Sequence, residues 1–318
     1  MFGYMLRRLL TIIPMLLAIT IIIFCGLELT PGDPLTYMMD PEMLMSNKVD
    51  LDAYRKAMGL DDPLPVRYVR WLGEVLKGNL GYSMVDGSSI AKVLSHRIPA
   101  TFELALSALA ISTVLGIVLG LLSSIRQNSP IDYFNTAVGM LGISVPEFFI
   151  GILAILLFAI RLKWLPIGGR LEYGQEGLWA RVSHILLPAC VMGVALTAAL
   201  MRYTRGTMLD VLNKDYIKTA RSKGIPEHRV IIHHAFRNAL TPVVLLLCFR
   251  LPMLVGGTVI IEAIFSWPGM GSTIVNAVSG KDYPVVMIAT MITAVFILFA
   301  SFLADLLTAL LDPRVRFE

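Results

Sequence analysis

The sequence predicts an all-α membrane protein with six transmembrane helices, and three observations carry that expectation. First, 56% of the 318 residues are hydrophobic and only 16% are charged, with a mean hydropathy of +0.72. A soluble domain of this length needs more charge, so the composition points to a multi-span membrane protein. Second, apolar runs of about 20 residues recur, the length that crosses a hydrocarbon core of about 30 Å. Third, the cations sit beside those runs and form no basic patch interleaved with aromatics. The excess of 27 Lys+Arg over 23 Asp+Glu, net +4, therefore reads as membrane topology, not as nucleic-acid binding.

Arg7 and Arg8 precede the first run, Leu9 to about Leu29, interrupted by Thr11, Pro14, Thr20 and Glu28. It is longer than a signal-peptide core and no small-x-small site follows, so residues 1–29 form the first span, amino terminus inside. Residues 30–99 are polar and punctuated by Pro and Gly. Leu51–Leu60 and Val66–Gly78 show helical periodicity with Gly stops. The segment is too long for a bare connector, and it reads as a helical extracytoplasmic cap. Its Arg55, Arg67 and Arg70 do not oppose that placement, because the positive-inside rule weighs long loops lightly.

Residues 100–311 hold the other five spans. The second runs from about Thr101 to Ile125, with Arg126 inside, and the third from about Phe134 to Ile160, with Gly139, Gly142, Pro146 and Glu147 within it. An outer loop over 161–183 offers Trp164 and Trp179 as interface anchors. The fourth span covers about Ile185–Met201, a basic loop follows over 202–238, and the fifth covers about Leu240–Ile264. Phe265–Tyr283 returns as an outer loop, the sixth span covers about Pro284–Leu311, and 312–318 form an inner tail with Arg314 and Arg316. Both termini are thus expected in the cytoplasm, with the eight cations of Arg202–Arg237. The loop after span three, with Arg161, Lys163, Arg170 and Arg181, fits less well. Inverting the topology would expose the most basic loop outside, which is worse.

That loop holds the densest charge of the chain: Lys214, Lys218, Arg221, Lys223, Arg229 and Arg237 against Asp210, Asp215 and Glu227. Tyr216, Ala220 and Gly224 fall four apart, on one face of a helix. Two of them are small and leave room for another surface to approach the backbone. Gly224 suits a helix C′ position and Pro226 the start of a new helix. A short helix, a sharp corner and a second helix entering the membrane result. The plain alternative is a solvated connector.

D-Y-I-K-T-A-R-S-K-G (Asp215–Gly224), followed by R-V-I-I-H-H-A-F-R-N-A-L-T-P (Arg229–Pro242), resembles the cytoplasmic EAA loop of ABC-importer permeases. The resemblance is greatest to the B-type subunits of oligopeptide, dipeptide and nickel permeases. T-P-G-D-P (Thr30–Pro34), G-L-D-D-P (Gly59–Pro63), G-N-L-G-Y-S (Gly78–Ser83), F-S-W-P-G-M-G (Phe265–Gly271) and D-Y-P-V-V (Asp282–Val286) agree, in order, over nearly the whole chain. The general pattern's glutamate falls on Lys218 and its first alanine on Thr219, and its downstream Leu-Pro is replaced by Phe236-Arg237. The resemblance implies a type I ABC-importer permease fold. It also implies that Asp215, Tyr216, Lys218, Thr219, Ala220, Arg221 and Gly224 couple to an ATPase, Lys218 and Arg221 meeting its acidic groups. Phe265, Trp267, Pro268, Gly269 and Gly271 carry the outer-loop motif. Implied partners are a second homologous permease, two ATP-binding subunits, an extracytoplasmic solute-binding protein docking near the cap, and membrane lipid. ATP and magnesium are expected on the ATPase subunits and no cofactor on this chain, in a bacterial or archaeal plasma membrane. The solute implied is a di- or oligopeptide. Nickel, glutathione or an oligosaccharide are alternatives.

The remaining chemistry is sparse. No G-x-x-x-x-G-K-[ST] occurs, so energy comes from an ATPase partner, an ion gradient, or neither. No G-x-S-x-G or H-E-x-x-H appears, which argues against a membrane-embedded enzyme. An ion-driven secondary transporter is expected to show repeated halves, and none is evident. His233 and His234 are adjacent and diverge on a helix, while His96 and His184 are isolated, so no metal site is expected. Cys25, Cys190 and Cys248 lie in separate apolar runs and read as free thiols. Arg250 is the costly residue, at roughly 2.5–3.5 kcal/mol on insertion scales if placed at mid-helix facing lipid. It either lines the pathway, favouring a substrate carboxylate, or makes a structural contact with a carbonyl or an acid. Glu28, Glu103 and Glu262 read as interfacial acids, and Asp305 as a partner within the bundle.

Overall fold

The apolar runs become helices, and their breaks fall at proline and glycine. The computed structural model describes residues 2–29, 56, 61–171 and 177–311. Most of the cap at 30–60, including T-P-G-D-P and the helix expected near Leu51–Leu60, lies outside the described residues, as do 172–176 and the tail 312–318. The elements in order are α1 Phe2–Glu28, α2 Leu64–Leu76, α3 Ile90–Ile125, α4 Pro130–Ser144 and α5 Glu147–Ala154, which runs into a π-helix Ile155–Arg161. Then come α6 Leu178–Leu212, α7 Asp215–Ser222, a helical turn Glu227–Arg229, a π-helix Val230–Phe236, α8 Arg237–Gly257, α9 Val259–Ile264, α10 Met270–Ser279 and α11 Tyr283–Leu311. Among the described residues the only strand-like pairing is one bridge, Tyr82 to Ser89.

α1, α3, α6, Glu227–Leu254 and α11 are each long and apolar enough to cross a membrane. A sixth crossing requires α4 and α5 together, which meet at a bend of 105°. The continuous third span expected over Phe134–Ile160 is therefore broken. Pro146 has no N–H and disfavours helical geometry in the residue before it; Val145 adopts φ −85°, ψ 129°, and the helix restarts at Glu147. Other spans outrun their apolar windows. α3 begins at Ile90 instead of about Thr101, and α6 covers Leu178–Leu212 instead of Ile185–Met201. Hydropathy marks only the lipid-embedded part of a helix. At 1.5 Å per residue, the 35 residues of α6 span about 52 Å, against a hydrocarbon core of about 30 Å. The basic "loop" thus starts as a helical stalk. Phe265–Tyr283, expected as a loop, likewise contains α10.

α3 and α6 pack along their length through small residues. A Cβ on Gly116 would stand 2.8 Å from Leu200 Cβ, and one on Gly120 2.7 Å from the Met201 carbonyl oxygen. Such close backbone approach is how helices associate where lipid supplies no hydrophobic contrast. α1 lies at the edge of the bundle. Arg8 pairs with Asp305 of α11 near one end, as expected for that acid. Near the other, Glu28 pairs with Arg67, and Phe24 packs with Tyr68 and Trp71 of α2.

Candidate coupling site and the opposite end of the bundle

α6 stops at Leu212, Lys214 is extended (φ −73°, ψ 150°), and α7 begins at Asp215. Asp215 in its first turn and Arg221 in its last suit the helix dipole. Gly224 closes the helix at φ +74°, its N–H donating to the Arg221 carbonyl at 2.9 Å, while Ile225 N–H donates to Ala220 at 3.3 Å. Pro226 then starts the next turn, so the corner expected from Gly224 and Pro226 forms.

The faces of α7 divide differently from expectation. Ile217 and Ala220 are buried in a core with Met208, Val230, Ala235 and Ala239, which joins α7 to the α6 stalk and the π-helix. Ala220 is small because this chain's own elements press on it. Asp215, Tyr216, Lys218, Thr219, Arg221 and Gly224 are exposed, and a docking face built from α7 consists of these. Lys218 Nζ lies 2.9 Å from Asp215, and Thr219 Oγ1 donates to the Asp215 carbonyl. Arg221 grips both oxygens of Glu227, with Nη2 at 2.7 Å and Nε at 3.2 Å, which raises the guanidinium pKa further above its ordinary value. The two cations expected to meet a partner's acids already hold acids of their own. Behind α7, Arg205 of the stalk forms a bidentate pair with Asp132 of α4, both contacts at 2.7 Å, and Asp132 is buried.

At the opposite end, Phe265–Gly271 folds into a knot. Phe265 and Trp267 are fully buried, and Trp267 Nε1 donates to the Ala100 carbonyl at 2.8 Å. Glu262, expected at an interface, is fully buried instead. Its carboxylate accepts from Thr101 Oγ1 at 2.7 Å and Ser272 N–H at 2.9 Å, and Thr101 Oγ1 accepts from Met270 N–H at 2.7 Å. Gly269 and Gly271 are needed because a side chain on either would occupy the space of Glu262 or Val259. Gly169 N–H donates to the Phe265 carbonyl at 2.7 Å, binding the segment after α5 to the knot. Pro268 sits between the buried Trp267 and Gly269.

Two further motifs meet nearby. Buried Asp282, of D-Y-P-V-V, accepts from Ser83 Oγ, the last residue of G-N-L-G-Y-S, and from Met84 N–H at 3.1 Å. Sequence reasoning took Asp282 and Ser83 as separate signatures; their place in two motifs was the available signal. Glu103 pairs with Arg170 at 2.7 Å, which gives one of the misfit cations of the 161–183 loop a local partner. Arg250 joins neither end. It is half-buried on α8, next to exposed Phe249 and Met253, and among the described residues its one polar contact is with Met253 Sδ at 4.0 Å. No cluster of three potential metal ligands occurs among the described residues.

Residues 112–317 match the family described as binding-protein-dependent transport system inner membrane component, and residues 1–105 match its N-terminal companion. The chain belongs to this family. The oligopeptide transport system permease protein AppB of Bacillus subtilis is 40% identical over 319 residues, 100% of both chains. The glutathione transport system permease protein GsiC of Pectobacterium atrosepticum is 33% identical over 318 residues, again 100% of both. The inward-facing MetNI methionine ABC transporter superposes with a TM-score of 0.56 at 14% identity, covering 70% of this chain and 97% of that one, which shows a shared permease fold. The resemblance to peptide-branch ABC permeases drawn from short motifs therefore extends across the whole of this permease.

Proposed function

We propose that this permease forms half of the membrane pathway of a peptide importer and receives mechanical work through α7. The observation that carries this is an eight-residue helix with a polar exposed face, anchored by Ile217 and Ala220 to a stalk longer than the bilayer is thick. A helix fixed on one face and free on the other can transmit displacement along the stalk without unfolding. The other half is a second homologous permease; two ATP-binding subunits carry ATP and magnesium, and an extracytoplasmic binding protein delivers the solute. Both termini and α7 are cytoplasmic, and the α10 knot and α2 are outside, in the plasma membrane of a bacterium. ATP binding draws the ATPase pair together, moves α7 and opens the pathway outward; hydrolysis resets it. This chain supplies no catalytic group.

Gly224→Trp tests the assignment. Nothing lies within 4 Å of a Cβ there, so a side chain starts into open space on the face where a partner surface would approach. The variant inserts normally but hydrolyses ATP without uptake. Gly224→Ala imposes the same positive-φ strain, about 1–2 kcal/mol, without the bulk, and retains coupling. Transport by Gly224→Trp at the native rate would sink the reading.

Arg250 faces the pathway and favours solutes with a free carboxylate. A guanidinium with no acid beside it in an apolar helix is costly unless the surface it faces is wet or anionic. Arg250→Gln is expected to raise the KM for peptides with a free C-terminus about tenfold, about 1.4 kcal/mol, leaving amidated peptides unchanged. Equal effects on both would remove Arg250 from recognition.

A further inference from the structure

Between the end of α7 and the π-helix lies an open groove of about 700 Å³, lined by Lys223, Arg229, His233 and His234, with Gly224 and Pro226 forming its backbone wall. Its charge is uncompensated. Among the described residues neither Lys223 nor Arg229 is paired with an acid, whereas Lys218 and Arg221 on α7 hold Asp215 and Glu227. The two acids nearest in sequence are thus withdrawn from the groove by other cations, and the groove keeps its positive potential. The small, positive-φ Gly224 on its wall lets a ligand approach the backbone.

We infer that this groove receives a carboxylate side chain of the ATP-binding subunit, making it the electrostatic half of the coupling contact, with Tyr216 on α7 as the apolar half. The inference rests on the coupling role proposed for α7 and identifies the chemistry of its partner. Position favours a protein carboxylate over a lipid phosphate. The first cation after the apolar part of α6 is Arg202, and the stalk continues to Leu212, about 15 Å further along the axis. α7 and Lys223 follow that tip, beyond the depth of a headgroup layer. Lys223 and Arg229 are exposed, so replacing them is expected to leave the fold intact. The charge reversal from the general family pattern at Lys218 does not supply this contact, because Asp215 neutralises it.

The test uses the complete importer, purified through a tag on this permease, with retained ATP-binding subunits measured over a salt series. K223E/R229E is expected to lower retention at least about tenfold at physiological salt, and K223Q/R229Q to flatten the salt dependence. D215N/K218Q, which removes a pair that is already neutral and leaves Glu227 held by Arg221, is expected to change either readout far less. Unchanged retention and salt dependence in K223E/R229E, with the permease still monodisperse, would overturn the inference. So would a K223E/R229E permease that keeps its ATPase subunits but loses binding to phosphatidylglycerol vesicles, which would assign the groove to lipid. Gly224→Trp separates the two levels: if it uncouples while K223E/R229E behaves as native, only the groove assignment falls; if it transports normally, the coupling role of α7 falls first.

Discussion

The two ends of the bundle spend their polar residues in opposite ways. At the α10 end, Glu262, Thr101, Trp267 and Asp282 are buried, and each makes hydrogen bonds within the chain. At the α7 end, Asp215, Lys218, Arg221 and Glu227 are exposed, and their pairs lie in water. A buried carboxylate is tolerable only when its lone pairs are satisfied, and its network then holds several elements in one arrangement. Exposed pairs contribute little to the fold and leave their surface free for a partner. The difference separates a rigid seat, which joins α3, α9, α10 and the segment after α5, from an exposed handle at the other end, α7. On the role proposed for α7, substitutions fall into two classes, damage to the fold at one end and damage to coupling at the other.

The sharpest way to break this division is at Gly269. A methyl there must enter the space of the Glu262 carboxylate, which has no solvent to move into. Gly269→Ala is expected to abolish accumulation of folded permease, measured as the monodisperse fraction after detergent extraction. A native yield would show that the knot is not the fixed point of the fold. Arg205→Ala comes next and tests the stalk between the two ends. It leaves Asp132 buried without its bidentate partner, and breaking such a pair costs up to about 3–5 kcal/mol, less here because Arg205 is partly exposed. A lower midpoint of thermal unfolding is expected, with Arg205→Lys recovering only part, since an ammonium cannot grip both oxygens.

The sequence made these two ends legible to different degrees. Helix identity and the candidate spans, five or six of them, followed from apolar runs, and the corner at Gly224–Pro226 followed from local backbone chemistry. The break at Pro146 was signalled by its proline, but a bend of 105° depends on how α4 and α5 pack, which hydropathy does not encode. Glu262 was misjudged because an acid near the end of an apolar run usually reaches water. Here Gly269, Gly271 and Ser272, distant by several residues, close over it. The side on which Ala220 is approached was illegible for a related reason: a small residue announces a close approach without saying which side approaches. Ser83 and Asp282 lie 199 residues apart, and no local rule pairs them.

The smallest expected effect, at Lys218, sharpens the comparison from the other side. The residue occupies the position where the general family pattern has a glutamate, which by itself suggests a decisive contact. In the structure its ammonium lies 2.9 Å from Asp215 one helical turn away, and both groups are largely in solvent. An i,i+3 pair of this kind contributes roughly 0.2–0.5 kcal/mol, and salt screens it. Lys218→Ala should therefore leave thermal stability within about 0.5 kcal/mol of native and reduce uptake little, whereas K223E/R229E, only a few residues on, abolishes it. If Lys218→Ala instead uncoupled ATP hydrolysis from transport, the self-neutralised face of α7 would be the charged contact after all. The boundary between handle and groove would then move one turn toward the stalk.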